Sequence, residues 1–88
     1  MSVKIRQLQA FDAAARLGSF VDAAGAMHVT PAALSLSIRE LEAAVGFRLL
    51  ERTTRRLRLT QAGQGYLDHA RRVLAELAAA DRFARNVV

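Results

Sequence analysis

Residues 20–38 read FVDAAGAMHVTPAALSLSI. This stretch contains two segments with helical periodicity, separated by a short interruption. Small and apolar residues recur at helical spacing in both halves, whereas residues 27–29 break that period. Thr30 followed by Pro31 is typical of a helix start, because the hydroxyl caps free backbone N–H groups and proline fits the first helical position. The segment therefore predicts two closely crossing helices joined by a tight break, the layout of a helix-turn-helix.

Further signals place helix boundaries around this segment. Apolar residues within positions 3–17 fall on one helical face, and Gly18 ends their period. Ser19 then has the chemistry of an N-cap for the second helix. The third helix is predicted over residues 31–45, with Gly46 as its stop. The first half of the chain is thus predicted to form three helices.

The third helix separates into two faces when its residues are placed at steps of about 100°. The inner face is apolar and consists of Leu34, Ile38, Leu41 and Val45. The opposite face is small and lightly polar and consists of Ala32, Leu36, Arg39 and Ala43, with Ser35 at its flank. Such a face can approach another surface closely. Leu36 is its exception, a bulky apolar residue at the centre of a face predicted to meet solvent.

Beyond Gly46 the hydrophobic period changes from helical to alternating. Arginine and leucine alternate over residues 56–59, and residues 47–52 supply a partner strand, with the turn at residues 53–55. An isolated hairpin is marginally stable in water, so it must pack on the helices. The side chains predicted to hold it there are Leu49, Leu50, Leu57 and Leu59.

The positive charge of the chain is concentrated in this hairpin. Thirteen basic and eight acidic residues give a net charge of +5. Residues 1–46 hold four of each, whereas residues 47–60 hold five basic residues and one acidic residue. The five are Arg48, Arg52, Arg55, Arg56 and Arg58. A local basic element of this kind is typical of a nucleic-acid footprint, and the alternative is a solvated hairpin.

A single long helix is predicted for the rest of the chain, capped by Thr60 and reaching about Asn86. At 1.5 Å per residue it would be about 40 Å long, so part of it must extend beyond the globule. It carries two apolar stripes, one for its own core and one for a second copy of the chain or for an absent domain. The predicted dimerisation residues are Leu67, Ala70, Val73, Leu74, Leu77, Ala80 and Ala84.

Composition argues against catalysis and metal binding. Without cysteine the chain has no disulfide, thiolate zinc site or cysteine nucleophile. His28 and His69 lack the spacing of metal ligands, and no serine has a triad-like arrangement of partners. No apolar run approaches the roughly 20 residues that span a bilayer. We therefore expect a small cytoplasmic binding or oligomerisation module with no cofactor.

Longer motifs resemble a known family along essentially the whole chain. The motifs stand in the order and at the spacings found in that family. They are LQAF at 8–11, GSF at 18–20, VTPAALS at 29–35, IRELE at 38–42, VGFRLLERT at 45–53 and LTQAG at 59–63. These segments strongly resemble the N-terminal DNA-binding region of LysR-type transcriptional regulators. The resemblance implies a mainly α fold with a small β-hairpin.

In detail, the resemblance implies a winged helix-turn-helix over residues 1–60 and a linker helix over residues 61–88 that pairs antiparallel with that of a second subunit. The partner would be double-stranded DNA carrying an interrupted inverted repeat. A C-terminal effector-binding domain, absent from this chain, would bind a small-molecule inducer. The full-length protein would be a tetramer. The chain is therefore expected to be a fragment that acts at the nucleoid.

The resemblance also implies a set of DNA-contacting positions. Carried over by position, they are Pro31, Ala32, Ala33, Ser35, Leu36 and Arg39 of the third helix and Arg52, Thr53 and Arg55 of the wing; Thr30 and Arg56 complete the predicted interface. Family members commonly have glutamine at position 31 and arginine or another polar residue at position 36. Leu36 instead suits contact with a thymine methyl, so we expect more reliance on phosphate contacts, wing arginines and DNA shape.

Two other functions fit the same residues. In one, the long helix is a protein-interaction surface and the arginines only solubilise the chain. In the other, the chain is a self-contained small winged-helix repressor. Neutralising the wing arginines separates the first of these from a DNA-binding protein, because only the latter should lose its partner.

Overall fold

The computed structural model describes residues 2–52 and 56–87. Its elements, in chain order, are α1 (Ile5–Leu17), α2 (Phe20–Met27), α3 (Pro31–Val45), β1 (Leu50–Arg52), β2 (Leu57–Leu59) and α4 (Gln61–Asn86). The predicted mainly α fold with one hairpin is confirmed.

Local capping chemistry places the helix starts where the sequence predicts them. The hydroxyls of Ser19, Thr30 and Thr60 accept hydrogen bonds from backbone N–H groups three residues ahead, at 3.2, 3.1 and 2.8 Å. Gly18 and Gly46 follow α1 and α3 in the left-handed conformation, which glycine adopts at little cost. These caps fix where α1 and α3 end and where α2, α3 and α4 begin.

The turn between α2 and α3 depends on His28, which the sequence analysis considered only as a metal ligand and set aside. His28 ends α2 with φ of 57°, in the left-handed region. Its backbone N–H donates to the Gly25 carbonyl and that of Val29 to the Ala24 carbonyl, so two of the carbonyls in the last turn of α2 are satisfied. The left-handed residue allows the chain to reverse into α3 within three residues.

The core lies where α1, α2 and α3 meet and where the first turns of α4 cross α1. The largest fully buried side chains are Phe11, Leu34, Ile38, Leu41, Leu49 and Leu50. Ala23 and Ala24 are also buried, and their small size lets α2 approach its neighbours closely. Between α1 and α4, the Nε atom of Arg71 donates to Asp12 at 2.8 Å. The inner face predicted for α3 is confirmed.

The hairpin is antiparallel and shorter than predicted. Leu50 pairs with Leu59 and Arg52 with Leu57. Residues 47–49 of the predicted strand lie outside β1. The Leu49 carbonyl still accepts from Thr60, the residue opposite it in the register, at 3.0 Å, but the Leu49 N–H donates to the Glu42 carboxylate at 2.8 Å instead of to the opposite strand. The predicted turn at 53–55 lies outside the described residues.

Helix α4 extends well beyond the globule, as its length predicts, and the chain measures 51 × 25 × 21 Å. Leu67 and Ala70 are 5% and 2% exposed and lie in the core of their own chain. Side chains buried in their own chain have little surface left for a second copy, and the exposed part of the predicted dimerisation set lies further along α4. Leu74 is half-buried against the same core, and the more exposed stripe begins at Val73.

Candidate nucleic-acid interface

The outward face of α3 is exposed along its length in the part of the chain that the structure describes. Leu36, at its centre, is 50% exposed, and Arg39 is exposed one turn further along. Exposed residues also form the start of the helix, namely Thr30, Pro31, Ala32 and Ala33, while Ser35 at the flank is half-buried. Six of the seven predicted residues from this segment thus lie on the surface and the seventh at its edge.

Few side-chain hydrogen-bonding groups are available at the start of this face. The Thr30 hydroxyl already caps the Ala33 N–H. Pro31, Ala32 and Ala33 have no side-chain donor or acceptor. The first polar side chain at the centre of the face is therefore the guanidinium of Arg39. This end of α3 is suited to close surface contact more than to hydrogen bonding.

The hairpin places a second set of predicted residues near the helix-turn-helix. Arg52, Arg56 and Arg58 are exposed, whereas Thr53 and Arg55 lie outside the described residues. The Arg52 guanidinium lies 5.0 Å from the centre of the Phe20 ring, a cation–π contact. Since Phe20 is the first residue of α2, this contact holds the end of β1 beside the start of that helix. Phe20 is a positioning residue that was not singled out from the sequence.

Arg48, at the base of the hairpin, also has contacts within the chain. The Nε atom of Arg48 lies 3.6 Å from the Glu42 carboxylate, and its terminal N–H group donates to the Leu50 carbonyl at 3.4 Å. Arg58 stands opposite Glu51 in the strand register. The positive charge is thus partly balanced at the base and middle of the hairpin.

Glu42 connects α3 to the hairpin, and the sequence analysis missed it. It is only 8% exposed, and a single oxygen, Oε2, accepts from the backbone N–H groups of Leu49 and Leu50 at 2.8 and 3.3 Å. This carboxylate satisfies two backbone donors at the entry to β1 and fixes the hairpin relative to α3. Its position four residues after Ile38, on the inner side of α3, is the sequence signal that could have revealed it.

The outer half of α4 presents an apolar stripe that is exposed in the described part of the chain. Val73 and Leu77 are partly exposed, and Ala80 and Ala84 continue the stripe towards the C-terminal end. Phe83, at 73% exposure, lies beside it and was missed, although an aromatic residue three positions after Ala80 falls close to the same face. These residues form a surface of the kind that another helix covers.

No metal-binding group of three or more His, Cys, Asp or Glu side chains occurs within residues 2–52 and 56–87. None of the helices in those same residues is long and apolar enough to cross a membrane.

A known protein family shares this order of three helices, a hairpin and a long helix. Residues 5–64 match the model of the bacterial regulatory helix-turn-helix proteins of the lysR family. The chain belongs to the LysR family. The matched segment runs from the start of α1 into the first turn of α4, so it includes all three helices of the predicted DNA-binding fold and the hairpin.

Individual relatives of this LysR-family chain are transcriptional regulators. It is 43% identical over 76 residues to the HTH-type regulator CfxR of Cupriavidus necator, and 46% identical over 78 residues to the regulator CbbR of Rhodospirillum rubrum. These matches cover 86% and 89% of the chain but 24% and 26% of the relatives. The chain thus spans about a quarter of the length of these relatives.

A solved structure shows the same fold. The chain superposes on the DNA-binding domain of CbnR, crystallised as a complex with DNA, with a TM-score of 0.87 and 36% identity. The match covers 93% of this chain and 94% of the CbnR chain. The family and winged-helix fold implied by the resemblance are confirmed.

Proposed function

We propose that this chain is the sequence-specific DNA-binding part of a LysR-type transcriptional regulator. The observation that carries the proposal is the free outward face of α3 beside an arginine-bearing hairpin, with Glu42 linking the two. The CbnR domain, which shares this fold over nearly its whole length, was crystallised with DNA. In this function α3 enters the major groove and the hairpin contacts the backbone and the minor groove.

The dimensions of α3 suit a major groove about 12 Å wide, because a helix with its side chains is about 10 to 12 Å across. The small residues Ala32, Ala33 and Ala43 let the helix backbone come close to the base edges. Arg39 is placed to bind a guanine edge or a phosphate. Arg52, held by Phe20, adds phosphate or minor-groove contact. The proposed interface also includes Thr30, Pro31, Ser35, Leu36, Thr53, Arg55 and Arg56.

Helix α4 supplies the proposed dimer contact. Its exposed stripe would pair antiparallel with that of a second copy, and the two-fold symmetry of such a dimer matches an interrupted inverted repeat. The remaining length of the relatives would hold the effector-binding domain, which binds the inducer and extends the dimer to a tetramer. The full-length regulator would act on chromosomal DNA in the cytoplasm.

Neutralising the wing tests DNA binding directly. Changing Arg52, Arg55 and Arg56 together to glutamine is expected to weaken affinity for DNA about 100-fold. The slope of log affinity against log salt concentration should become shallower by about 2 to 3, because DNA binding releases about one counterion fewer for each phosphate contact that is lost. Binding is measured by fluorescence anisotropy across salt, on the site enriched from random-sequence duplexes. That selection is expected to return an inverted repeat.

A matched control removes the same charge elsewhere. Arg72, Arg82 and Arg85 are exposed on α4, and their joint change to glutamine should weaken binding only a few-fold. Equal losses from both triple variants would mean that diffuse charge, not the wing, binds DNA. A wing variant that keeps full affinity, or a wild-type chain without DNA binding at low salt, would favour the protein-interaction module.

The dimer contact is tested by one charge on either side of α4. Ala80 lies on the exposed stripe, whereas Ala75 is exposed on a different side of the helix. Ala80→Asp is expected to weaken self-association at least tenfold, because it places two carboxylates in an apolar helix contact. Ala75→Asp should have little effect. Sedimentation equilibrium measures both, and equal dissociation constants would contradict the proposed dimer face.

A further inference from the structure

Leu36 occupies an unusual position for a bulky apolar side chain. It lies at the centre of the outward face of α3, opposite the buried Leu34, Ile38 and Leu41, and half of its surface is exposed. On the helix its neighbours are Ala32 and Ala33, one turn before it. Ala32, Ala33 and Leu36 form a continuous exposed surface of carbon atoms, which we name the apolar patch.

Polar groups that could read bases are absent from the side chains of this patch. The nearby Thr30 hydroxyl caps the Ala33 N–H, and Ser35 is half-buried at the flank. A guanine edge or a cytosine amino group placed against Leu36 would lose hydrogen bonds to water and gain none. The patch therefore disfavours bases that present only polar atoms in the major groove.

One group in the major groove does match an apolar side chain. Thymine carries a C5-methyl there, and 5-methylcytosine presents the same methyl group. We propose that Leu36 reads the C5-methyl of a pyrimidine at one position in each half-site, with Ala32 and Ala33 lining the contact. This inference rests on the proposed placement of α3 in the major groove, and it names the chemical feature by which this chain selects its site.

The size of the effect follows from the burial of a methyl group. Removing one methyl from the contact should weaken binding about fourfold per half-site, and about 10- to 20-fold when both half-sites are changed. Leu36→Ala removes the contacting surface and should make the protein indifferent to that methyl. The variant should fold, because position 36 is half exposed and alanine is the best helix former.

The experiment removes one methyl at a time from the DNA. Each thymine of the selected site is replaced by deoxyuridine, which differs only in lacking the C5-methyl, and affinities are measured for the wild type and for Leu36→Ala. The expected result is one symmetric pair of positions at which uracil weakens the wild type and leaves Leu36→Ala unchanged. Leu17→Ala, at another partly exposed leucine outside α3, is the control and should keep the wild-type response to uracil.

Two further duplexes identify the source of the methyl. With cytosine and with 5-methylcytosine at the sensitive position, recovery of affinity by 5-methylcytosine means that the patch reads the methyl on either base. No recovery means that it accepts thymine alone, and both results support the proposal. The proposal is overturned if uracil has no effect at any position, or if Leu36→Ala keeps the full uracil effect. If the proposed function itself were wrong, the wild-type protein would bind no duplex specifically, which is a different result.

Discussion

Gly63→Ala is expected to lower the free energy of unfolding by about 3 to 4 kcal/mol, although it adds only one methyl group. Gly63 is buried in the first turn of α4, and a β-carbon there would overlap the backbone carbonyl of Leu49, with 2.9 Å to its carbon atom. Leu49 has little freedom to move, because its N–H donates to Glu42 and its carbonyl accepts from Thr60. The clash must therefore displace α4 or the hairpin.

Gly65→Ala is the matched control, two residues further along the same helix. A β-carbon at Gly65 meets nothing within 4 Å, so the helix preference of alanine should raise stability by up to about 1 kcal/mol. Chemical denaturation followed by circular dichroism measures both variants, at equal protein concentration because self-association adds to stability. Changes of the same sign and size at the two glycines would show that α4 does not press on Leu49 at Gly63.

Glu42→Ala is expected to destabilise the chain by a similar amount, about 3 to 4 kcal/mol. The substitution leaves the N–H groups of Leu49 and Leu50 without an acceptor at a buried site, and each such donor costs about 1 to 3 kcal/mol. The hairpin should also loosen from α3. Denaturation measures the total effect, and hydrogen exchange at the two leucine amides measures the local one.

Two controls separate the hydrogen bonds of Glu42 from its charge. Because one oxygen accepts both bonds, Glu42→Gln keeps an acceptor in place and should cost no more than about half as much as the alanine variant. Arg48→Ala removes the 3.6 Å ion pair of a largely exposed side chain and should cost less than about 1 kcal/mol. If the glutamine variant were as unstable as the alanine variant, the charge rather than the backbone bonds would be responsible.

Features that depend on interactions between neighbouring residues were the ones predicted correctly from the sequence. Ser19, Thr30 and Thr60 were found from sequence because a capping hydroxyl acts on the N–H group three residues ahead. The outward face of α3, with Leu36 at its centre, followed from helical periodicity alone. The hairpin was also predicted, but its first strand was too long, since the Leu49 N–H donates to the side chain of Glu42 instead of to the opposite strand.

The residues that hold the helices and the hairpin against one another could not be predicted from local sequence patterns. Phe20 and Arg52 are 32 positions apart, and Gly63 and Leu49 are 14 apart, so no local pattern links either pair. Spacing on α4 showed two apolar stripes, but only packing against α1 assigned Leu67 and Ala70 to the core and left Val73 on the free face. Helix limits and faces were determined by the sequence because capping and periodicity act within a few residues. The pairing of those faces depended on the folded chain, since it arises from side chains that meet only after distant segments pack together.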